Sequence, residues 1–519
     1  MESVSLPEDP KSSAENPPVG WTELVVVAVA VALCDLTIFR GHGYAGYAVL
    51  VVGLPLLLAF GSPSRRWNQG VLFTAELLIG VAVRLAWCGS GGAVFAGAVC
   101  LVAYAMSLAG LPPYITRILG FASQLIAAGH RGLNHYAGQL SQRTGWVPGR
   151  SAAVTYGFPM AALGVFGSIF IFANPDLVKS VGLQLEQLIT LVGDWLKGFS
   201  FWEIPFCIGA GWIVVGLLRP DTRQPEEWPE KSAPTPGPAP LFEAFRNTLL
   251  MVVALFAVYL VFEFRTLWFR EFPKGFHYSG YAHQGAAWLT VALALATVLL
   301  STIFQGQILQ DKRQGLLRKL AWVWSLQNLL LAAAVYHRLW IYVGFNGMTR
   351  MRTIGWLGIT SVVIGFLLVV IRIARQKDFR WLLRRQLWTV CLAAYLYVVL
   401  PVDLWITRYN VSRILTGELA PSVQIAEHPL SDEGYLQLVA LRDCADPVIQ
   451  QGGKAMLARR YRDLLHEDQN ETQRHWTARQ VAREALRKRL ASIPEIPALS
   501  PQAIDDRIEA YRKYAYQWY

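Results

Sequence analysis

The chain has 519 residues, is 54% hydrophobic and only 16% charged, and carries a formal net charge of +11 with a mean hydropathy of +0.33. Soluble globular proteins hold about 25% charged residues, so this composition excludes an ordinary soluble domain and puts the chain in the membrane class. From Asp403 onward 16 basic residues balance 16 acidic ones, so the positive excess lies earlier, between apolar runs, as in membrane-protein loops and not as in a nucleic-acid-binding domain.

Residues 1–20 are polar and proline-containing and read as a disordered tail. A membrane span needs about 20 mainly apolar residues. Such runs fall at 21–39, 44–60, 70–88, 93–111, 153–173 and 200–218, which makes residues 21–218 a first transmembrane block. Two further segments, 115–140 and 176–199, have the apolar spacing of interfacial amphipathic helices. Residues 219–241 begin "RPDTRQPEEWPEKSAPTPGPAP", a proline-rich charged linker that cannot form a helix. Runs at 245–266, 285–304, 320–341, 354–373 and 386–401 make residues 242–401 a second block. The expected fold is therefore all-α: a polytopic integral membrane protein with about 11 transmembrane helices, followed by a small C-terminal helical domain over residues 402–519.

Within that C-terminal part, Ser431-Asp432-Glu433 resembles a helix start. Asp446-Pro447 offers a cap and a first-turn proline for a helix to about His466, weakened near its start by Gly452-Gly453. Another helix is expected from Trp476 to Ala491. Ser500-Pro501 opens a last one, with Ile504, Ile508, Tyr511, Ala515 and Trp518 on one side. Lysines and arginines cluster after the second, fourth, sixth, eighth and tenth runs, which puts the N-terminus in the cytoplasm and, with eleven spans, the C-terminal domain outside. The connections at Arg265–Lys274 and Arg338–Arg352 oppose this bias, because they place several positive charges on the outer side.

Six scattered cysteines with no C-x-x-C pair argue against a disulfide framework or zinc site. Walker A, H-E-x-x-H and G-x-S-x-G motifs are absent. No catalytic residue, metal site or cofactor is expected. Charges inside spans are the functional candidates. Asp35 and Arg84 fall at similar depth and are expected to pair, either as a packing device or as part of a proton or substrate relay. Glu263 lies two residues from Arg265, so snorkelling to water is its simplest account. The connection "RTLWFREFPKGFHYSGYAHQG", holding His277, Tyr281 and His283, interleaves aromatics with basic groups. "RLWIYVGFNGMTRMR" adds Arg338, Tyr342, Thr349 and Arg352. Together they form either an interfacial aromatic belt or an outer polar and aromatic site for an anionic headgroup or sugar.

Three of these stretches also carry a resemblance. "YAHQGAAWL" resembles a Tyr-Ala-x-x-x-Gly pattern that opens a span. "RLWIYVGFNGMTRMR" is similar to an Arg…Tyr…Gly-x-Thr-x-x-Arg pattern at Arg338, Tyr342, Gly347, Thr349 and Arg352. "DLWITRYNVSR" looks like an Asp-x-x-Ile-x-Arg-x-Asn pattern at Asp403, Ile406, Arg408, Asn410 and Arg413. In this order they resemble a family of bacterial polytopic membrane proteins catalogued only as a domain of unknown function, over Leu241 to about Leu490. The chain departs from the family at His283, where arginine is more usual, and at Val402, where Asn or Pro often precedes the Asp.

The resemblance implies the bacterial cytoplasmic (inner) membrane and supplies no activity. The lipid bilayer is the expected partner, with an anionic lipid or an envelope protein as a further one, and no nucleic acid. Asp403, Arg408, Asn410 and Arg413 are expected to act as a hinge to the C-terminal domain. The leading expectation for function is an envelope sensor, scaffold or assembly factor working through that domain. The alternative is a transporter or a protein handling lipids or lipid-linked sugars.

Overall fold

The computed structural model describes residues 18–63, 67–144, 200, 202–220, 241–265, 278–304, 308, 311, 313–375, 377–469 and 475–518. The expected N-terminal tail up to residue 17, the span at 153–173, the amphipathic segment at 176–199 and nearly all of the linker lie outside these residues. Every regular element among them is helical.

In the first block, α1 (Trp21–Cys34) runs into a π-helical turn, Asp35–Phe39, and is followed by α2 (Tyr44–Gly61), α3 (Gln69–Cys88), α4 (Gly91–Leu108), α5 (Ile115–Thr144) and α6 (Glu203–Leu218). Polar caps set the boundaries. The Asn68 side chain accepts the Val71 N–H at 3.0 Å to start α3 and donates to the Ser107 carbonyl at 2.9 Å, tying it to the end of α4. Ser90 caps α4 in the same way. Leu54, Leu58, Leu78, Val81, Leu85, Tyr104 and Leu218 form the core.

The second block holds α7 (Phe242–Glu263), α8 (Tyr278–Ile303), α9 (Gln314–Asn346), α10 (Arg350–Arg375) and α11 (Phe379–Val399), around Leu249, Leu293, Leu300, Trp324 and Phe366. Helix α11 joins the two blocks: Trp388 meets Phe73 edge-on, and the Tyr395 hydroxyl donates to the Leu77 carbonyl at 2.7 Å. Large apolar side chains such as Phe95, Met251 and Val258 stay exposed on these helices, the surface a lipid environment would cover.

Among the described residues, six helices are long and apolar enough to cross a membrane: Trp21–Phe39, α2, α3, α4, α7 and α10. A seventh crossing is available if α11 and α12 (Val402–Leu415), bent by 66° at Leu400-Pro401, count as one broken span. The count of about eleven is thus not reached among the described residues. The run at 200–218 yields a helix of 16 residues, about 24 Å at 1.5 Å per residue. The apolar part of α8 is equally short, Trp288–Ile303. Helix α9 is long enough but is diluted by Ser325, Gln327 and Asn328, and α11 opens with Arg380, Arg384 and Arg385.

After α12 come α13 (Ser422–Glu427), α14 (Asp432–Leu438), α15 (Pro447–Gln469), α16 (Val481–Ala491), α17 (Glu495–Ala498) and α18 (Pro501–Ala515), with 3-10 turns at Val439–Asp443 and Trp476–Ala478. They share a core that includes Leu438, Leu441, Leu464, Leu486, Leu490 and Tyr511. Two expected caps form: Asp446 accepts the N–H groups of Val448 and Ile449, and Ser500 accepts that of Ala503. The helix expected from Trp476 breaks at Arg479-Gln480. Gly452 is no weak point. Any Cβ there would lie 2.4 Å from the Tyr511 side chain, so the glycine lets α15 and α18 cross closely. The Tyr511 hydroxyl donates to the Ser422 carbonyl at 3.0 Å.

These C-terminal helices cap the ends of the membrane helices where α1, α3, α9 and α11 finish. Thr477 and Ala478 sit on Gly43 and Gly46 at the start of α2; a Cβ on Gly43 would fall 2.7 Å from the Ala478 backbone. Gly41-x-Gly43-x-x-Gly46 has the spacing of a dinucleotide-binding turn, but it follows a helix and not a strand, and two of its glycines are used for this contact. Beside it, Arg84 Nη1 meets Glu433 Oε2 at 2.6 Å and Trp87 donates to the same oxygen at 2.9 Å. Glu433 is fully buried. Removing one partner of a buried pair costs about 3–5 kcal/mol. Glu433→Gln should therefore speed tryptic cleavage within α15–α18 of the protein in nanodiscs by tenfold or more, and Arg84→Met added to it should recover part of the loss. Cleavage at the wild-type rate in Glu433→Gln would show that the glycine contact alone holds the cap.

Candidate functional site

The site begins at the C-terminal end of α9. Arg338 there forms a buried two-pronged pair with Glu263, with Nε to Oε1 at 2.7 Å, and Tyr259 donates to the same carboxylate. Glu263 is thus sequestered between α7 and α9 and does not snorkel. One turn further on, Tyr342 faces inward, and the helix stops at Gly347, whose φ of +86° is the left-handed region that favours glycine. A Cβ on Gly347 would lie 2.5 Å from Asn410 Oδ1 and 2.8 Å from Pro421.

Asn410 of α12 reads the turn that follows as a paired strand would. Its Oδ1 accepts the Met348 N–H at 2.7 Å, and its Nδ2 donates to the Met348 carbonyl at 2.9 Å. Arg413 donates to the Gly344 carbonyl at 2.8 Å. Thr349 then starts α10 by accepting the Arg352 N–H at 3.2 Å. Asp403 takes Arg350 through Nε at 2.6 Å. The Arg352 guanidinium stacks on the Tyr342 ring, 3.8 Å from its centroid, and donates to the Gly347 carbonyl.

These groups surround a cavity of about 790 Å³ at the junction of the second block with the C-terminal helices. Tyr342, Thr349, Arg352, Asp403, Ile406 and Asn410 all line it. Its deeper wall is Leu339, Ile354, Gly355, Gly358 and Ile359, and its roof includes Gln424, His428 and Leu430. Gly358 lies eight residues into α10, so the cavity reaches about 12 Å along that helix. The arrangement offers an apolar slot with a polar, partly cationic end, in the size range of small-molecule sites.

Not every expected residue is there. His277 lies outside the described residues, as do the side chains of Tyr281 and His283. Arg338 is held by Glu263. Arg408 is exposed and does not line the cavity. Helical geometry accounts for this: Asn410 lies seven residues after Asp403, about 20° from the same face, whereas Arg408, five residues on, is about 140° away. That signal was readable in the sequence. Asp35 and Arg84 do not form the expected pair. Asp35 meets Arg40 at 3.1 Å, beside Glu203 and Cys207, and Arg84 takes Glu433. Gln424, His428 and the buried Thr407 were missed, because no local pattern ties them to this place.

The family model described as "Domain of unknown function (DUF4153)" matches residues 22–441. The chain belongs to this family. The match reaches back through the first block, well before Leu241, and stops at residue 441, short of the Leu490 to which the resemblance was expected to run. No curated protein and no solved structure matches the chain. In this DUF4153 member the motif residues that reach the cavity come from α9, α10 and α12, which are joined by the Asn410 contacts to the Met348 backbone, the Arg413 bond to the Gly344 carbonyl and the Arg350–Asp403 pair.

Gly347→Ala should lower stability by about 1–2 kcal/mol from the left-handed backbone alone, and by more through the Asn410 contact. Gly344→Ala, with open space around the new Cβ, should be neutral or slightly stabilising. Thermal unfolding of both variants in one detergent checks this; equal melting temperatures would refute the clasp.

Proposed function

We propose that this protein is a membrane-embedded receptor for an amphiphile drawn from the bilayer, with the cavity between the second block and the C-terminal helices as its binding site. One observation carries the reading. Residues from separate motif stretches, Tyr342, Thr349, Arg352, Asp403, Ile406 and Asn410, converge on a single cavity with an apolar depth and a polar end. An amphiphile has the same division. In this reading the chain handles lipids or lipid-linked molecules, the bilayer is its partner, and the C-terminal helices serve as the roof of the site and not as a free scaffold. The loop charges favour a cytoplasmic N-terminus in a bacterial inner membrane, with the roof on the outer face.

Gly358→Trp tests the reading, because no atom lies within 4 Å of a Cβ built at Gly358, so the indole can enter the cavity without displacing backbone. Native mass spectrometry of protein released from nanodiscs should show lipid retained by the wild type and at least a fivefold loss of that species in the variant, with the melting temperature held within a few degrees. The same lipid retained in equal amount by both proteins would sink the proposal.

A further inference from the structure

The cavity holds a buried cation that meets no carboxylate among the described residues. Arg84, Arg219 and Arg338 each hydrogen-bond a carboxylate, of Glu433, Glu23 and Glu263 respectively. Arg352 is only 7% exposed, yet the groups it interacts with among the described residues include the Tyr342 ring and hydroxyl, the Gly347 carbonyl and Tyr409, and no carboxylate bonds it. Arg372 also lacks a carboxylate bond, but it donates to the Ser301 and Lys377 carbonyls and does not line the cavity. A lone buried guanidinium is unfavourable unless something compensates it.

The position sharpens the point. Arg350 and Arg352 occupy the first turn of α10, a helix of 26 residues whose N-terminus already carries partial positive charge. Acids are favoured there, and here two arginines stand instead. Asp403 neutralises Arg350. No carboxylate among the described residues bonds Arg352. The N–H groups of Arg350 and Met351 have no partner among the described residues, and the Thr349 oxygen is used as an acceptor, which leaves its proton to give. A helix N-terminus, a hydroxyl and an arginine edge together suit a group with several oxygens and a full negative charge.

We infer that Arg352, with Thr349 and the first turn of α10, binds the phosphate of a phosphate-bearing amphiphile, whose apolar part extends past Gly355 and Gly358. This rests on the cavity being the amphiphile site proposed above. The phosphate could equally be supplied as the free ion, so the probes separate the two sources. Purified full-length protein in a mild detergent is titrated with dihexanoyl phosphatidic acid, with dihexanoylglycerol, which has the same chains and no phosphate, and with inorganic phosphate, with intrinsic tryptophan fluorescence as the readout.

The expected result is saturable binding of the phosphatidic acid at least tenfold tighter than of the dihexanoylglycerol. Arg352→Gln should erase that preference, and Arg352→Lys should keep part of it. Inorganic phosphate bound as tightly as the phosphatidic acid, and lost in Arg352→Gln, also supports the anion site and assigns it to the free ion. Equal affinity for the two lipids in the wild type, lost in Gly358→Trp, overturns the phosphate inference and leaves the cavity reading standing. Binding of none of the three probes overturns both.

Discussion

A guanidinium taken out of water costs several kcal/mol unless an anion meets it, and that constraint decides which layers of this molecule touch. Arg219 and Glu23 join the end of α6 to the start of α1 across 196 residues. Arg338 and Glu263 join α9 to α7 across 75. Arg84 and Glu433 join the C-terminal helices to α3 across 349. Apolar helix faces in lipid have little to distinguish one partner from another, since lipid tails are as apolar as leucine. A buried ion pair does distinguish them, because every wrong neighbour leaves a charge unmatched. Such pairs add little net stability over an apolar substitute. What they contribute here is assignment: which helix end faces which.

Glycine supplies the complementary constraint. Where two backbones must approach within side-chain distance, the chain places a residue without a Cβ. At Gly43 and Gly46 the partner is the Thr477–Ala478 turn, and at Gly452 it is Tyr511. A charged contact and a close steric contact thus hold the cap side by side at the same bundle end, together with a hydrogen bond from the His42 N–H to Thr477 Oγ1 at 2.9 Å. The charged contact selects the partner, and the glycine contact sets how near it comes. Neither depends on a broad apolar interface, which suits a layer that must cover a cavity rim as well as a helix end.

What was legible in the sequence follows from which forces are local. Helix starts at Ser500 and Asp446 depend on a side chain and the next three residues, so they could be read directly. The apolar runs gave helices among the described residues, but not all of these are long and apolar enough to cross a membrane, because an apolar run and a helix of spanning length are different things: Glu203–Leu218 is the clearest case. Ion pairing was illegible. Depth matching made Asp35 and Arg84 plausible partners, yet the anion that Arg84 takes is Glu433, whose surroundings in sequence suggested only a helix start. The motif stretches were visible as unusual polar clusters, but not as one cavity. Their meeting rests on contacts far apart in sequence: Asn410 with Met348, 62 residues away, Arg413 with Gly344 and Asp403 with Arg350. Arg408 could have been set aside on helical phase alone.

The cavity and the cap share a structural element, and this has a thermodynamic consequence. Helix α12 lines the cavity through Asp403, Ile406 and Asn410, and Gln424, His428 and Leu430 beyond it form the roof. A ligand that touches both the α10 wall and this roof binds the docked arrangement and has fewer contacts with an undocked one. By mass action it stabilises docking by RT ln(1 + [L]/Kd), about 2.7 kcal/mol at a hundred times Kd. That is close to the scale of the buried Arg84–Glu433 pair. A ligand that touched only the membrane helices would bind both arrangements equally and shift nothing, however tight its binding. Because the roof is part of the wall, occupancy and docking cannot be independent here.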